Sequence, residues 1–374
     1  MALDRRQVLG NARRIVVKIG SNVLTTRTGA LDRRRVRHLA EQVSALCDGG
    51  KEVILVSSGA IAAGVGELGL PGRPKAMPEL QAAAAVGQGR LIRAYSEAFR
   101  RHGRAVGQVL LTREDMEDRA RFLNTRNTLR ALLAMGCVPI INENDSVCVE
   151  EIRYGDNDFL AAHLAALILA DLVVILSTVE GLMERDAAGR ERVVSVVESA
   201  ADAARLDTGE KSARGTGGMS SKLRAAETVA RAGVPVVIAG GKRPNVLIEV
   251  LAGEAVGTLF LPASRRMGSR KRWIGFTARP AGRLFVDAGA RRALVEGGKS
   301  LLASGVRGYL GTFEKGDVVV LAVGNDAPFA QGITNYSSAE IALILGHHTR
   351  DIPARLGRKA SGEVVHRDNL VLLG

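Results

Sequence analysis

The chain has 374 residues, 46% hydrophobic and 24% charged, a globular balance that excludes disordered and fibrous classes. Its one Trp, four Tyr and eight Phe argue against a carbohydrate binder built on aromatic platforms and against a single-strand nucleic-acid groove. The net charge of +13 leaves an anionic substrate, a nucleotide or RNA open, and a prior of about 150 residues per domain suggests two or three domains.

Cys47, Cys137 and Cys148 form no C-x-x-C pair, so no disulfide framework is expected and a reducing cytoplasm is the simpler setting. The six histidines show no H-E-x-x-H and no zinc-ligand spacing, so no histidine-held metal site is expected. The N-terminus lacks an apolar signal region. The longest apolar stretch, 159–176, is interrupted by His163 and Asp171. It reads as a buried helix, a turn and a strand, since a membrane span needs ~20 apolar residues. Arg outnumbers Lys while Ala and Gly abound, so GC-rich codon usage accounts for part of the charge.

In chain order, residues 14–20 (RIVVKIG) predict a strand, and 32–46 a helix with Asp32 as N-cap and Val36, Leu39, Ala40, Val43 and Leu46 on one face. Strands follow at 52–58, 105–111, 138–142, 172–177 and 235–239, with helices at 80–101, 121–135, 159–169 and 221–232 between them. Apolar strands separated by amphipathic helices predict an α/β fold: an αβα sandwich around a mostly parallel sheet, with ligands at the carboxyl ends of the strands. Near residue 262 the pattern changes. Residues 262–272 (PASRRMGSRKR) read as a basic linker. Beyond it, short glycine-punctuated strands at 282–286, 316–323 and 329–333 and helices at 289–296 and 337–345 predict a small β-barrel-like domain. The expected domains are 1–265 and 276–374. Residues 261–374 hold 17 Lys+Arg against 9 Asp+Glu, so over half of the net charge sits in the tail.

Residues 64–69 match G-x-G-x-x-G but do not open a helix directly after a strand, which rules against a dinucleotide site. Residues 215–222 (GTGGMSSK) are stronger. The glycines admit close backbone approach to a phosphate, Ser220 or Ser221 is placed to cap a helix, and that helix N-terminus favours an anion. Lys222 then opposes the helix dipole, which points to an anionic partner. Lys18, ending the first buried strand, is costly to bury unpaired and is expected to face a cleft. Ser57-Ser58-Gly59 offers hydroxyl and N–H donors. The segments 141–145 (INEND) and 154–158 (YGDND) concentrate acids and amides, suited to Mg²⁺ or to an amino group and a carboxylate. Each of these motifs also has a plain structural reading as a turn or a capped helix.

Together, and in this order, KIGS at Lys18, SSGAIAAG at Ser57, LTREDM at Leu111, INEND, GDND and GTGGMSSK closely resemble the amino acid kinase family. The likeness is strongest to its branch that phosphorylates the glutamate γ-carboxylate. The tail, with VDAGA at Val286, GKSLL at Gly298, FEKGDVV at Phe313 and GITNYSSAE at Gly332, resembles a PUA domain. The resemblance implies ATP and Mg²⁺ as cofactors, L-glutamate as substrate, and γ-glutamyl phosphate as product, the first step of proline biosynthesis, with proline as feedback inhibitor. It also implies that Ser58, Asp145 and Asn157 hold glutamate. Lys18 and Lys222 would contact the transferring phosphoryl group while Asp158 positions them. Ser177, Thr178 and the segment Thr216, Gly217, Gly218, Met219, Ser220, Ser221 and Lys222 would hold ATP. The family usually has Thr-Asp where this chain has Ser177-Thr178, so a carboxylate is missing from the expected nucleotide grip.

The glycine- and proline-containing segment 64–78 is expected to be a mobile loop able to sense proline. A homo-oligomer, dimer or tetramer, is expected, with a glutamyl-phosphate reductase as a further partner. Competing readings are another amino acid kinase, acting on acetylglutamate or uridylate, and an RNA-binding role for the basic tail. The paired INEND and GDND motifs disfavour the first, and the complete kinase set disfavours the second as the main function. A structural role for the tail in oligomer regulation is the plainest alternative.

Overall fold

The computed structural model describes residues 5–26, 28–147, 157–185, 190–198, 218–262 and 268–373. The chain divides into two compact units, Met1–Arg266 and Met267–Gly374.

The strands of the first unit are β1 (Arg14–Ile19), β2 (Glu52–Ser57), β3 (Val106–Leu111), β4 (Val138–Glu143), β5 (Leu172–Ser177), the short hairpin β6 (Met183–Arg185) and β7 (Glu191–Val193), β8 (Val196–Val197), β9 (Val236–Gly240) and β10 (Thr258–Phe260). Eight of them form one sheet in the order β3-β4-β2-β1-β5-β9-β10-β8. From β3 to β9 every neighbouring pair is parallel, while β10 runs antiparallel to β9. β1 is the pivot: β2 and β5 lie on opposite sides of it. The chain therefore leaves in one direction and returns in the other, which opens a crevice at the carboxyl ends of the strands.

The main helices of this unit are α1 (Arg33–Asp48), α2 (Ala60–Glu67), α3 (Met77–Arg100), α4 (Arg119–Ala134), α5 (Asn157–Ile168), α6 (Met219–Arg231) and α7 (Val246–Leu251). Side chains alternate along a strand, and the two faces of β1 meet different layers. Ile15, Val17 and Ile19 join a core with Leu39 and Val43 of α1, Tyr95 and Phe99 of α3, and Val246 and Val250 of α7. Val16 and Lys18 face the other layer, where α5 packs on α6, β1 and β5. Asp32 caps α1 as expected, accepting from the backbone N–H groups of Arg34 and Arg35. The apolar stretch 159–176 is helix α5, a turn with Leu169 at φ 59°, and strand β5, as the sequence predicts.

Two readings need correction. The segment 64–78 is not all loop: Gly64–Glu67 belong to α2, and Met77 and Pro78 begin α3. Gly64 serves helix packing, because a Cβ there would land on the backbone of Ala83 in α3. Gly87 of α3 is its reciprocal, with a Cβ that would land on the carbonyl oxygen of Ala60. The two helices therefore touch backbone to backbone, and the glycines mark this contact rather than a phosphate loop. The hairpin β6–β7 and the edge strands β8 and β10 were not expected, being only two or three residues each.

The second unit holds a five-stranded sheet, ordered β12 (Val306–Leu310), β11 (Gly282–Val286), β13 (Val318–Ala322), β14 (Ala330–Thr334) and β15 (Val365–Leu372). Only the β11–β13 pair is parallel. Helices α8 (Ala288–Val295), α9 (Ser338–Ile344) and α10 (Ile352–Leu356) cover a core that includes Leu284, Phe313, Leu321, Tyr336 and Ile341. Of the basic stretch read as a linker, Ser269–Arg272 is a helical turn leading into a π turn, Trp273–Thr277. Trp273 and Ile274 are buried, and the Ile274 carbonyl accepts from the Gln331 side chain of β14. No helix among the described residues is long and apolar enough to cross a membrane.

The α2–α3 contact gives opposite expectations for two neighbouring glycines. Gly87→Ala overpacks it and should destabilise by about 1–3 kcal/mol. Gly89 meets nothing within 4 Å where its Cβ would stand. Gly89→Ala should therefore stabilise α3 by about 0.5–1 kcal/mol. Urea unfolding of both variants tests this pair, and equal effects would contradict the packing.

Candidate active site

Three charged side chains meet just below the crevice. Lys18 is the penultimate residue of β1, Asp158 lies in the first turn of α5, and Lys222 in the first turn of α6. The Lys18 ammonium sits 2.6 Å from Asp158 Oδ1, and Lys222 Nζ donates to Asp158 Oδ2 at 3.3 Å. The Asp158 side chain is fully buried, and the Lys18 and Lys222 side chains are 6% and 9% exposed. Burial alone would raise the Asp158 carboxyl; the two ammonium groups outweigh it and hold the group below its ordinary value. Asp158 is thus a fixed anion that fastens two cations beneath the strand ends. Ion pairs this deep contribute little net stability, since desolvation offsets most of the attraction, but losing one member leaves a buried charge exposed to its full cost.

Asn157, one residue earlier, faces another set of partners. Its Nδ2 donates to Ser58 Oγ at 2.8 Å and to Asn142 Oδ1 at 3.0 Å. Ser58 directly follows β2, Asn142 is on β4, and the Glu143 N–H also donates to Asn142 Oδ1 at 2.9 Å. The Asn157 Oδ1 and Asn142 Nδ2 atoms are buried and have no hydrogen-bond partner among the described residues. An orphaned acceptor beside an orphaned donor suits a ligand carrying both an ammonium and a carboxylate. Asp145 lies half-buried in the turn after β4. Asn142 was not singled out within INEND; its position as the last fully buried residue of β4 was the available signal.

Ser177 ends β5 and is buried, its carbonyl accepting from the Gly241 N–H at 2.7 Å, whereas Thr178 is exposed. Helix α6 begins at Met219 with Gly218 as N-cap and no side-chain cap. Ser220 and Ser221 therefore stand inside the first turn and do not cap it, a correction to the sequence reading. Thr216, Gly217 and residues 154–156 lie outside the described residues, as does Cys148. Among the described residues no group of three His, Cys, Asp or Glu could hold a metal ion. His163, farther along α5, is held down at about 4 by burial and by Arg113, so it is neutral at pH 7.

Lys18 at the carboxyl end of β1 and Lys222 in the first turn of α6, both buried and beside a glycine-capped helix N-terminus, form a cationic site of a kind suited to an anion. Residues 13–240 match the amino acid kinase family and residues 282–356 the PUA domain. The chain belongs to the amino acid kinase family and is a phosphotransferase. Its full-length relatives put it in the glutamate 5-kinase branch. It is 47% identical over 372 residues to Glutamate 5-kinase of Trichlorobacter lovleyi, covering 99% of each chain. It is 48% identical over 371 residues to those of Syntrophotalea carbinolica, covering 98% of this chain and 99% of that one, and Myxococcus xanthus, covering 98% of each.

The site makes a prediction about acid stability. A carboxyl whose value is depressed by folding contributes stability above its unfolded value, near ~4, and that contribution is lost as pH falls through the folded value. Asp158→Asn should remove this acid-dependent part and cost about 3–5 kcal/mol at pH 7 by leaving two buried ammonium groups without their carboxylate. Thermal melts of both proteins from pH 7 down to 3 check this. An unchanged melting temperature at pH 7 would contradict it.

Proposed function

We propose that the chain transfers the γ-phosphoryl group of ATP to the γ-carboxylate of L-glutamate, giving γ-glutamyl phosphate and ADP, the first step of proline biosynthesis. The buried Lys18–Asp158–Lys222 set carries this reading. The shared name of the full-length relatives supports the substrate.

The chemistry asks for little proton handling. A glutamate side chain, pKa ~4.3, is already ionised at pH 7. One carboxylate oxygen attacks the γ-phosphorus and a new P–O bond forms. The bond to the β–γ bridging oxygen breaks, and its electron pair leaves with ADP. No general base is required. The barrier lies in bringing an anion to a polyanion. Lys18 and Lys222 offset that repulsion and orient the groups in line, with Asp158 as the positioning residue between them. Ser58, Asp145 and Asn157 hold glutamate, and the orphaned Asn157 Oδ1 suits its ammonium group. Ser177, Thr178 and residues 216–222 hold ATP, with the first-turn N–H groups of α6 facing phosphate oxygens. Mg²⁺, when bound, would supply charge neutralisation on the phosphates.

On this reading, residues 1–265 are the catalytic domain and 276–374 the PUA domain. Proline inhibits at or near the glutamate site. The protein acts in the cytoplasm as a dimer or tetramer, and a reductase consumes its labile acyl phosphate.

An ATP- and glutamate-dependent acyl-phosphate assay, read as hydroxamate with and without proline, tests the reading. Lys18→Ala and Lys222→Ala should each lower turnover at least ~10²-fold, the usual loss on removing a transition-state donor. Near-native turnover in either folded variant removes that lysine from the mechanism. Asp145→Ala should mainly raise the glutamate KM, and an unchanged KM shows that Asp145 lies elsewhere in function. Proline should compete with glutamate in the same assay.

A further inference from the structure

Helix α3 touches the acceptor side of the site at two points on one face. Tyr95 and Gln88 are seven residues apart, two turns of helix or ~10.5 Å. Both are buried, Tyr95 completely and Gln88 to 9% exposure. The Tyr95 hydroxyl lies 2.9 Å from Ser57 Oγ. Ser57 Oγ in turn donates to the Ser58 carbonyl at 3.2 Å, which leaves the Tyr95 hydroxyl as donor to Ser57. Burial pushes the Tyr95 phenol up, so it keeps that proton. At the other end, Gln88 Nε2 donates to the Glu143 carbonyl at 3.3 Å, and Gln88 Oε1 accepts from Gln108 Nε2 at 3.0 Å.

Joined to the contacts of Asn157, these bonds close a circuit. It runs from Tyr95 through Ser57 and Ser58 at the end of β2, across Asn157 of α5 to Asn142 and Glu143 of β4, and back to Gln88. Every residue between its two ends lies at a strand terminus or helix start beside the crevice. We propose that Tyr95 and Gln88 are positioning residues that fix the ends of β2 and β4, and thereby the Ser58, Asn157 and Asn142 groups offered to the acceptor substrate. This rests on the glutamate reading above. Neither side chain need touch substrate; α3 acts as a rigid bar across two strand ends. The donor side is not part of the circuit, since Lys18 and Lys222 attach to Asp158.

The circuit predicts a selective defect. Tyr95→Phe removes one hydroxyl and no carbon volume. In the full chain it should raise the glutamate KM about 5-fold, the usual effect of one buried hydrogen bond, and leave kcat and the ATP KM within about 2-fold. Ser57→Ala removes that bond and the one to the Ser58 carbonyl, and should raise the glutamate KM by at least as much. The double variant should match Ser57→Ala, since Tyr95→Phe then has no further bond to remove. A folded Tyr95→Phe protein with unchanged glutamate KM overturns the proposal. So does an equal loss in kcat and in both KM values, which marks a merely structural role. Should Tyr95→Phe not fold, Gln88→Met at the other end of the circuit is measured in the same way and decides on the same outcomes. Failure of the underlying reading is separate: the parent protein would then form no glutamate-dependent acyl phosphate, and the inference would fall with it.

Discussion

The single Asp158 carboxylate shared by two buried ammonium groups sets the terms for the rest of the site. Lysine in the middle strand of a sheet is expensive to place, because desolvation of an ammonium costs several kcal/mol even after relaxation. The fold meets that cost with the Asp158 carboxylate, which the first turn of α5 brings to the end of β1. Lys222 reaches the same carboxylate from α6, which packs against α5. The parallel order of β2, β1 and β5 then follows a requirement: both helix N-termini must open at the carboxyl end of the sheet. Reversing one strand would carry its polar terminus to the opposite edge, away from Asp158.

Much of this was legible from sequence where the physics is local. The central strands read as continuous apolar runs ending in Gly or Ser because both of their faces are covered. Val36, Leu39, Ala40 and Val43 read as a helix face, and all are buried. Lys18 and Lys222 stood out because each is locally unfavourable, one in an apolar strand and one at the wrong end of a helix dipole. Other features depend on distant partners. Asn142 gains meaning only from Asn157, fifteen positions away, and Tyr95 only from Ser57. A tyrosine on an apolar helix face looks like any core residue. Gly64 was read as part of a loop because nothing in its own neighbourhood reveals that Ala83 passes against it. The α6 cap was misplaced by two or three residues, since a glycine N-cap leaves no side-chain signature.

The charge divides in the same way. The net +13 does not describe the candidate site, where two lysines and one aspartate meet in the less basic unit. The arginines pair mostly at the surface, as Arg93 does with Glu97 and Arg192 with Glu184, where such pairs contribute little.

Asn157 and Asp158 are consecutive residues that look in different directions, one toward Ser58 and Asn142, the other toward the two lysines. On the proposed reading, the acceptor and donor halves of the site are joined by one peptide unit. The step between these two anchors is a covalent Cα–Cα length of ~3.8 Å, whereas the side chains that meet them come from separate elements. Heating, core substitution or breathing of the surrounding helices can tilt the pair but cannot stretch it. On that reading, an in-line approach of two anions has one fixed length built into the backbone.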